Sequence, residues 1–137
     1  MTHDEAFLQL LSEGVIYEPP YDAVFDFVDE VLKCHVESSF DLLQQCYEIG
    51  EATLVMLSVL YTTTKQVLQV QSCESSDIAK TTGLSAWQIK KAKEKINYRS
   101  IGDLVYMIKL IQRVERDIKT GKMEEQYAMQ YVLVNVL

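Results

Sequence analysis

The chain contains few residues that interrupt helices. Its 137 residues include two prolines and five glycines, and this scarcity disfavours a fold with many short strands and turns. No segment has 18 consecutive apolar residues, so the sequence predicts no membrane span. The amino terminus lacks a basic stretch followed by an apolar one. We therefore predict no secretory signal, a cytoplasmic location and no membrane partner.

Signatures of catalysis and metal binding are also missing. The three cysteines, Cys34, Cys46 and Cys73, form no CxxC pattern, which disfavours a disulfide framework or a zinc site and indicates reduced thiols. His3 and His35 lie far apart, without partners at ligand spacing. The chain has no phosphate-binding loop, GxSxG elbow or HExxH motif. We expect no enzyme activity, no cofactor, no metal and no small-molecule substrate.

The charge is unevenly distributed. Residues 1–51 contain twelve acidic residues and one basic residue, Lys33, whereas residues 52–137 contain eight acidic and twelve basic residues. An overall charge of −7 disfavours broad affinity for nucleic acid, because binding to phosphates depends on lysine and arginine. DNA contact is therefore expected to be weak or indirect, through the basic second part.

Apolar residues recur at helical spacing along almost the whole chain, which predicts an all-α fold. Residues 15–20, which end in Pro19 and Pro20, should form a linker because tandem prolines oppose helix formation. The predicted helices are residues 4–13, 21–33, 36–49, 51–71, 75–83, 85–96, 100–120 and 123–137. The helix over 51–71 is apolar almost all round, so we expect it at the centre of a bundle. Its three consecutive threonines, residues 62–64, make a β-strand the alternative.

Several faces of these helices can be assigned from the pattern. Helix 36–49 should have Val36, Phe40, Leu43 and Tyr47 on one side, and the last helix has Tyr127, Tyr131 and Val134 at helical spacing. Acidic residues lie opposite the apolar stripe of helix 21–33, and a solvated face is favoured over a carboxylate metal site. These acidic residues are Asp22, Asp26, Asp29 and Glu30. Apolar residues left over to cover a partner are predicted to be Val132, Leu133, Val136 and Leu137.

Residues 75–99 resemble a helix-turn-helix. Ala79, Gly83 and Ile89 occupy the positions that need a small residue, a turn glycine and an early apolar residue. Ser75 or Ser76 should cap the first helix, and Ser85 and Gln88 have the spacing of a capping box for the second. The possible DNA contacts are Gln88, Lys90, Lys91, Lys93 and Lys95. A DNA-binding regulator is one hypothesis, and a tight helical corner inside a larger bundle is the other. Trp87 either anchors an interface or fills the gap between two helices, and packing is slightly favoured.

A set of motifs resembles the C-terminal domain of the delta subunit of bacterial DNA polymerase III, in the clamp-loader family. The set comprises residues 77–84, residues 89–92 and Asp117-Ile118-Lys119-Thr120-Gly121 before a Leu/Val-rich last helix. Upstream, residues 23–29 resemble the helix that opens the third domain of the family. Within the set, Asp117, Lys119 and Gly121 match the family motif. The chain departs from the family at Thr64-Lys65, where an arginine is usual in the central helix.

This resemblance implies the organisation and the role of the chain. Residues 1–20 would be a short helix and a Pro-Pro linker left from a preceding lid domain, and residues 21–137 a helical collar domain. In clamp loaders such domains from five subunits pack into a ring. The resemblance therefore implies an assembly module, without ATP hydrolysis, that binds other clamp-loader subunits of the gamma/tau and delta prime type. An adaptor in some other complex is a further alternative.

Overall fold

The computed structural model describes the backbone of residues 20–137 and the side chains of residues 23–137. This part of the chain contains seven helices and no strand, so the predicted all-α class is confirmed. The helices are α1 (Pro20–Leu32), α2 (Val36–Glu48), α3 (Thr53–Gln71), α4 (Ile78–Thr82), α5 (Ala86–Lys93), α6 (Ile101–Lys119) and α7 (Glu125–Val136). The helix predicted over residues 4–13 lies outside the described residues.

Helix α3 is the central element, as its composition predicts. It contacts α1, α4, α5, α6 and α7, and its inward residues include the fully buried Met56, Leu57 and Leu60. The threonines do not form a strand. Thr64 is buried, and its hydroxyl donates to the carbonyl oxygen of Leu60 at 2.6 Å, so the helix itself satisfies the polar group that burial would otherwise penalise.

Helix α1 begins one residue earlier than predicted, at Pro20. Proline suits the first position of a helix because its missing N–H would have no partner there and its φ is already helical. The expected apolar stripe of α1 is confirmed: Val24, Phe27, Val28 and Val31 are buried.

The predicted apolar side of α2 is confirmed at Leu43, which is buried, and at Tyr47, which packs partly against the core, but it is wrong at its first two residues. The residues that face the core are Ser39, Leu43 and Cys46, whereas Val36 and Phe40 are exposed. Ser39 is tolerated inside because its hydroxyl donates to the carbonyl oxygen of His35 at 2.6 Å. A small serine therefore allows the helices to approach, and the larger apolar residues beside it remain outside.

Three helix starts also differ from the sequence prediction. Helix α3 begins at Thr53 rather than residue 51, and α7 begins at Glu125 rather than residue 123. Helix α4 is capped by Asp77 and not by a serine, since the Asp77 carboxylate accepts from the Lys80 N–H at 3.1 Å. Ser75 instead accepts from the Asp77 N–H at 3.2 Å and supports the cap.

Arg99, which lies between α5 and α6, connects two helices that are distant in the sequence. Its guanidinium donates to the carbonyl oxygen of Val31 at 2.9 Å and to that of Val136 at 2.8 Å. The Val31 carbonyl oxygen also accepts from the Cys34 N–H at 3.1 Å, and a cation at the carboxyl ends of two helices interacts favourably with the carbonyls there. Arg99 thereby joins the ends of α1 and α7. Within the described residues, no helix is both long and apolar enough to cross a membrane.

Candidate functional site

Helices α4 and α5 form the tight corner that the sequence predicts. Gly83 has φ +75°, a left-handed conformation that glycine adopts without strain, and ends α4. Ser85 then begins α5 with a full capping box: its hydroxyl accepts from the Gln88 N–H, and the Gln88 side chain accepts from the Ser85 N–H. Both helices pack on α3, so the corner is part of the bundle.

The five residues predicted as possible DNA contacts have different environments. Lys90 and Lys93 are exposed, and the ammonium of Lys91 lies 5.5 Å from the centre of the Trp87 ring. The carbonyl of the Gln88 side chain is already used in the helix cap. Lys95 has a side chain only 3% exposed, so it lies in the interior rather than on the outer face of α5.

Lys95 forms a largely enclosed ion pair between α5 and α1. Its ammonium lies 3.1 Å from a carboxylate oxygen of Asp29 and donates to the carbonyl oxygen of Lys91 at 3.0 Å. The acidic side of α1, predicted to be solvated, is only partly exposed at Asp29, because this carboxylate pairs with the buried ammonium of Lys95. The side chain of Asp22 lies outside the described residues.

A groove of about 410 Å³ runs between α1, α3 and α5. Phe25, Asp26 and Asp29 line its α1 side, Thr63 and Gln66 its α3 side. The α5 side consists of Trp87, Lys91, Ala92 and Lys95. Trp87 is 66% exposed, so the slight preference for tight packing of this indole between helices is wrong. The indole stands at the edge of the groove, with one face beside the ammonium of Lys91.

A second exposed cluster lies on α6 and α7. We define the α6–α7 surface as Tyr106, Arg113, Tyr127, Tyr131 and Val134, all of them exposed. The three α7 residues are four and three positions apart, and the two α6 residues are seven apart, so each set shares one helix face. Arg113 donates to the Tyr131 hydroxyl at 3.0 Å and thereby links the two helices.

The residues that the sequence predicts to cover a partner do not belong to this surface. Val132 and Leu133 are fully buried, and Val136 and Leu137 pack partly against the core. The helical period of α7 therefore points its Ala128-Met129-Val132-Leu133 side inward and its tyrosines outward. The signal for this choice was present in the sequence, because tyrosine has a polar hydroxyl and tolerates exposure better than valine or leucine.

The family-motif residues Asp117, Lys119 and Gly121 lie at the carboxyl end of α6. Gly121 has φ +78°, and the Asp117 carbonyl oxygen accepts from the Lys122 N–H at 2.8 Å. The Gly121 N–H donates to the Ile118 carbonyl oxygen at 3.2 Å, which completes a Schellman ending. Lys119 forms an exposed ion pair with Glu115 at 2.7 Å. In this structure the motif ends a helix and directs the chain into α7.

Among the described residues, His35 and Cys46 are the histidine and the buried cysteine whose surroundings bear on chemistry. No three residues of the metal-ligating types come together within the described residues. His35 pairs with Glu30 at the end of α1, and His3 lies outside the described part. Burial raises the pKa of the Cys46 thiol to about 11, and the charges of Glu51 and Asp26 add to the effect. A thiol so hard to ionise is a poor nucleophile.

The described residues form an all-helical bundle with aromatic and basic side chains on exposed helix faces. The family model for the C-terminal domain of the DNA polymerase III delta subunit matches residues 21–136. The chain therefore belongs to this family, and the resemblance stated from its motifs is confirmed.

The comparison with solved structures agrees with this assignment. The Bacillus subtilis DNA clamp loader delta protein (YqeN) matches with a TM-score of 0.74 at 15% identity over 90% of this chain. The chain spans 38% of that protein's length. Among curated proteins, none matches the sequence. The alternative of a helix-turn-helix DNA-binding regulator is not favoured by these matches.

Proposed function

We propose that residues 21–137 are the assembly domain of a clamp-loader delta subunit and that they bind other clamp-loader subunits, of the gamma/tau and delta prime type, during DNA replication. Residues 1–20 would be the end of a preceding domain. The domain would contribute no catalysis and take no cofactor. Membership of the family of delta C-terminal domains is the observation that carries this proposal.

The α6–α7 surface supports an assembly role. Tyrosine and arginine are enriched where proteins bind one another, since they combine a large contact area with a polar group that can remain hydrated. Tyr127 and Val134 are 61% and 73% exposed, and neither contributes to the core formed by the described residues. We therefore assign the α6–α7 surface to the contact with a neighbouring subunit.

The experiment is co-purification of the full chain with tagged gamma/tau-type and delta prime-type subunits. Tyr127→Ser and Val134→Asp should together weaken retention about tenfold or more, which corresponds to about 1.4 kcal/mol of binding free energy. Both side chains are exposed, so folding should change little.

Phe40→Ser is the matched control, because Phe40 is also an exposed apolar side chain but lies on α2. This variant should be retained like the unmodified chain. Failure of the unmodified chain to bind any clamp-loader subunit would refute the assembly role. Equal retention of all variants would refute the assignment of the α6–α7 surface.

A further inference from the structure

We propose that the α6–α7 surface recognises an acidic patch on the neighbouring subunit, through a basic stripe that consists of Lys109, Arg113 and Arg116 of α6. This inference rests on the assembly role proposed above and deepens it, because it names the chemistry of the partner's surface. The stripe provides the charged side of the contact, and the tyrosines of α7 provide the uncharged side.

The three cations of the basic stripe lie on one exposed side of α6. They are four and three positions apart, which is the spacing of one helix face, and all three are exposed. Tyr106 precedes Lys109 by three positions and shares this side. The Arg113 guanidinium donates to the Tyr131 hydroxyl at 3.0 Å, so the stripe is continuous with the tyrosines of α7.

The positive charge of the stripe is not neutralised by the part of the chain that the structure describes. There, none of its three side chains has a carboxylate oxygen within 4.0 Å. Asp117, one turn beyond the stripe, is half-buried, and Glu115 pairs with Lys119 instead. The neighbouring residues 126–137 contain no charged side chain. A chain with 20 acidic and 13 basic residues thus keeps three neighbouring cations apart from its carboxylates, which leaves them available to the counter-charges of a partner.

The surroundings of the stripe favour the carboxylates of a protein over the phosphates of a nucleic acid. Arginine forms two parallel hydrogen bonds with either group, so the cations alone do not decide. Beside them, however, Tyr127, Tyr131 and Val134 offer uncharged contact area, and protein interfaces combine such an uncharged centre with a polar rim. The charge of −7 of the whole chain would oppose the approach of a nucleic acid.

The experiment titrates the labelled full chain with purified gamma/tau-type and delta prime-type subunits and measures Kd at roughly 50 and 300 mM salt. Lys109→Glu with Arg116→Glu should raise Kd about tenfold or more at the lower salt, because like charges would then face each other. Lys109→Gln with Arg116→Gln removes the charges without reversing them. It should raise Kd about two- to fivefold and weaken the dependence of Kd on salt.

Lys90→Glu with Lys93→Glu is the matched control. It makes the same change of net charge on α5, where both lysines are exposed, and leaves the α6–α7 surface unaltered. Its Kd should stay within about twofold of that of the unmodified chain, because salt screens charges that lie far from the contact. Circular dichroism establishes that each variant remains folded.

Three results would overturn the proposal, and they separate it from the assembly role. If the unmodified chain binds the subunits and the stripe variants bind them as well as the α5 control does, the acidic patch is refuted and the assembly role stands. The same holds if Lys109→Glu with Arg116→Glu abolishes binding of a labelled DNA oligonucleotide and leaves subunit binding unchanged, since the stripe would then contact nucleic acid. If the unmodified chain binds no subunit at either salt concentration, both proposals fail.

Discussion

At the scale of single residues, the Lys95–Asp29 pair links α5 to α1. Asp29→Ala leaves the Lys95 ammonium enclosed without its counter-charge, so we expect the free energy of unfolding to fall by about 1–3 kcal/mol. Lys95→Met should cost less, because methionine fills similar space and the carboxylate of Asp29, 34% exposed, can be hydrated. Urea unfolding of each variant gives both values.

The exposed pair of Lys119 and Glu115 is the matched control for this prediction. It is also a lysine–carboxylate pair, but the Lys119 side chain is 60% exposed. Lys119→Met should therefore change stability by about 0.5 kcal/mol or less. If Asp29→Ala and Lys119→Met lowered the free energy of unfolding by the same amount, the enclosure of Lys95 would have no effect on the strength of its ion pair.

The environment of Lys95 illustrates what the sequence can and cannot predict about a site. A row of lysines on α5 predicts a basic outer face, and Lys90 and Lys93 follow this expectation. Lys95 does not, because it is three positions from the buried Ala92 and so shares the inward side of the chain there. Its partner Asp29 belongs to another helix, and local periodicity contains no information on that pairing.

At the scale of helices, the two glycines at the ends of α6 should respond oppositely to substitution. Gly121 adopts φ +78°, so Gly121→Ala should destabilise the chain by about 1 kcal/mol through strain in the left-handed conformation. Gly102 lies in the first turn of α6, where an added Cβ would meet only the Ser100 hydroxyl oxygen at 3.7 Å. Gly102→Ala should stabilise by about 0.4–1 kcal/mol, because it reduces the entropy of the unfolded chain.

Thermal or urea unfolding of these two variants checks the prediction within one helix. Since nothing lies within 4 Å of a Cβ at Gly121, steric overlap cannot account for a loss there. A stabilising Gly121→Ala would contradict the left-handed ending of α6. It would also remove the physical reason for a glycine at this position of the family motif.

The sequence predicts which residues form helices, because each helix has its own local start, period and stop signals. It predicts less well which face of a helix is buried. The capping box at Ser85 and the turn at Gly83 are both read correctly from the sequence. On α2, however, the predicted side includes Phe40, which is exposed, whereas the structure buries Ser39 and Cys46 together with the predicted Leu43. That choice depends on how closely α1 packs against α2, which is a tertiary property outside the reach of a periodic pattern.

At the scale of the whole molecule, α3 is the central helix on which the others pack, and Arg99 joins the ends of α1 and α7. Arg99 was not identified as important from the sequence, where it follows the lysines of α5 as one more basic residue. Its two carbonyl partners, Val31 and Val136, are in the first and last helices described. Only the completed fold brings these helix ends together, and this explains why local reasoning missed the contact.

We expect the buried thiol of Cys46 to make the stability of the whole bundle depend on pH. The unfolded chain releases this proton near the ordinary pKa of 9.0, whereas the folded chain retains it up to about pH 11. The folded state thus binds more protons across this interval, so stability should fall as pH rises from 9 to 11.

In Cys46→Ala the fall over the same interval should be smaller, although this variant starts from a lower stability because of the lost packing. Urea unfolding at about pH 8, 9 and 10, which span roughly one unit on each side of the unfolded pKa, measures the slope of the free energy of unfolding against pH. Cys34→Ala, at an exposed thiol, is the control and should keep the slope of the unmodified chain. Identical slopes in all three proteins would mean that Cys46 ionises as readily inside the bundle as outside it.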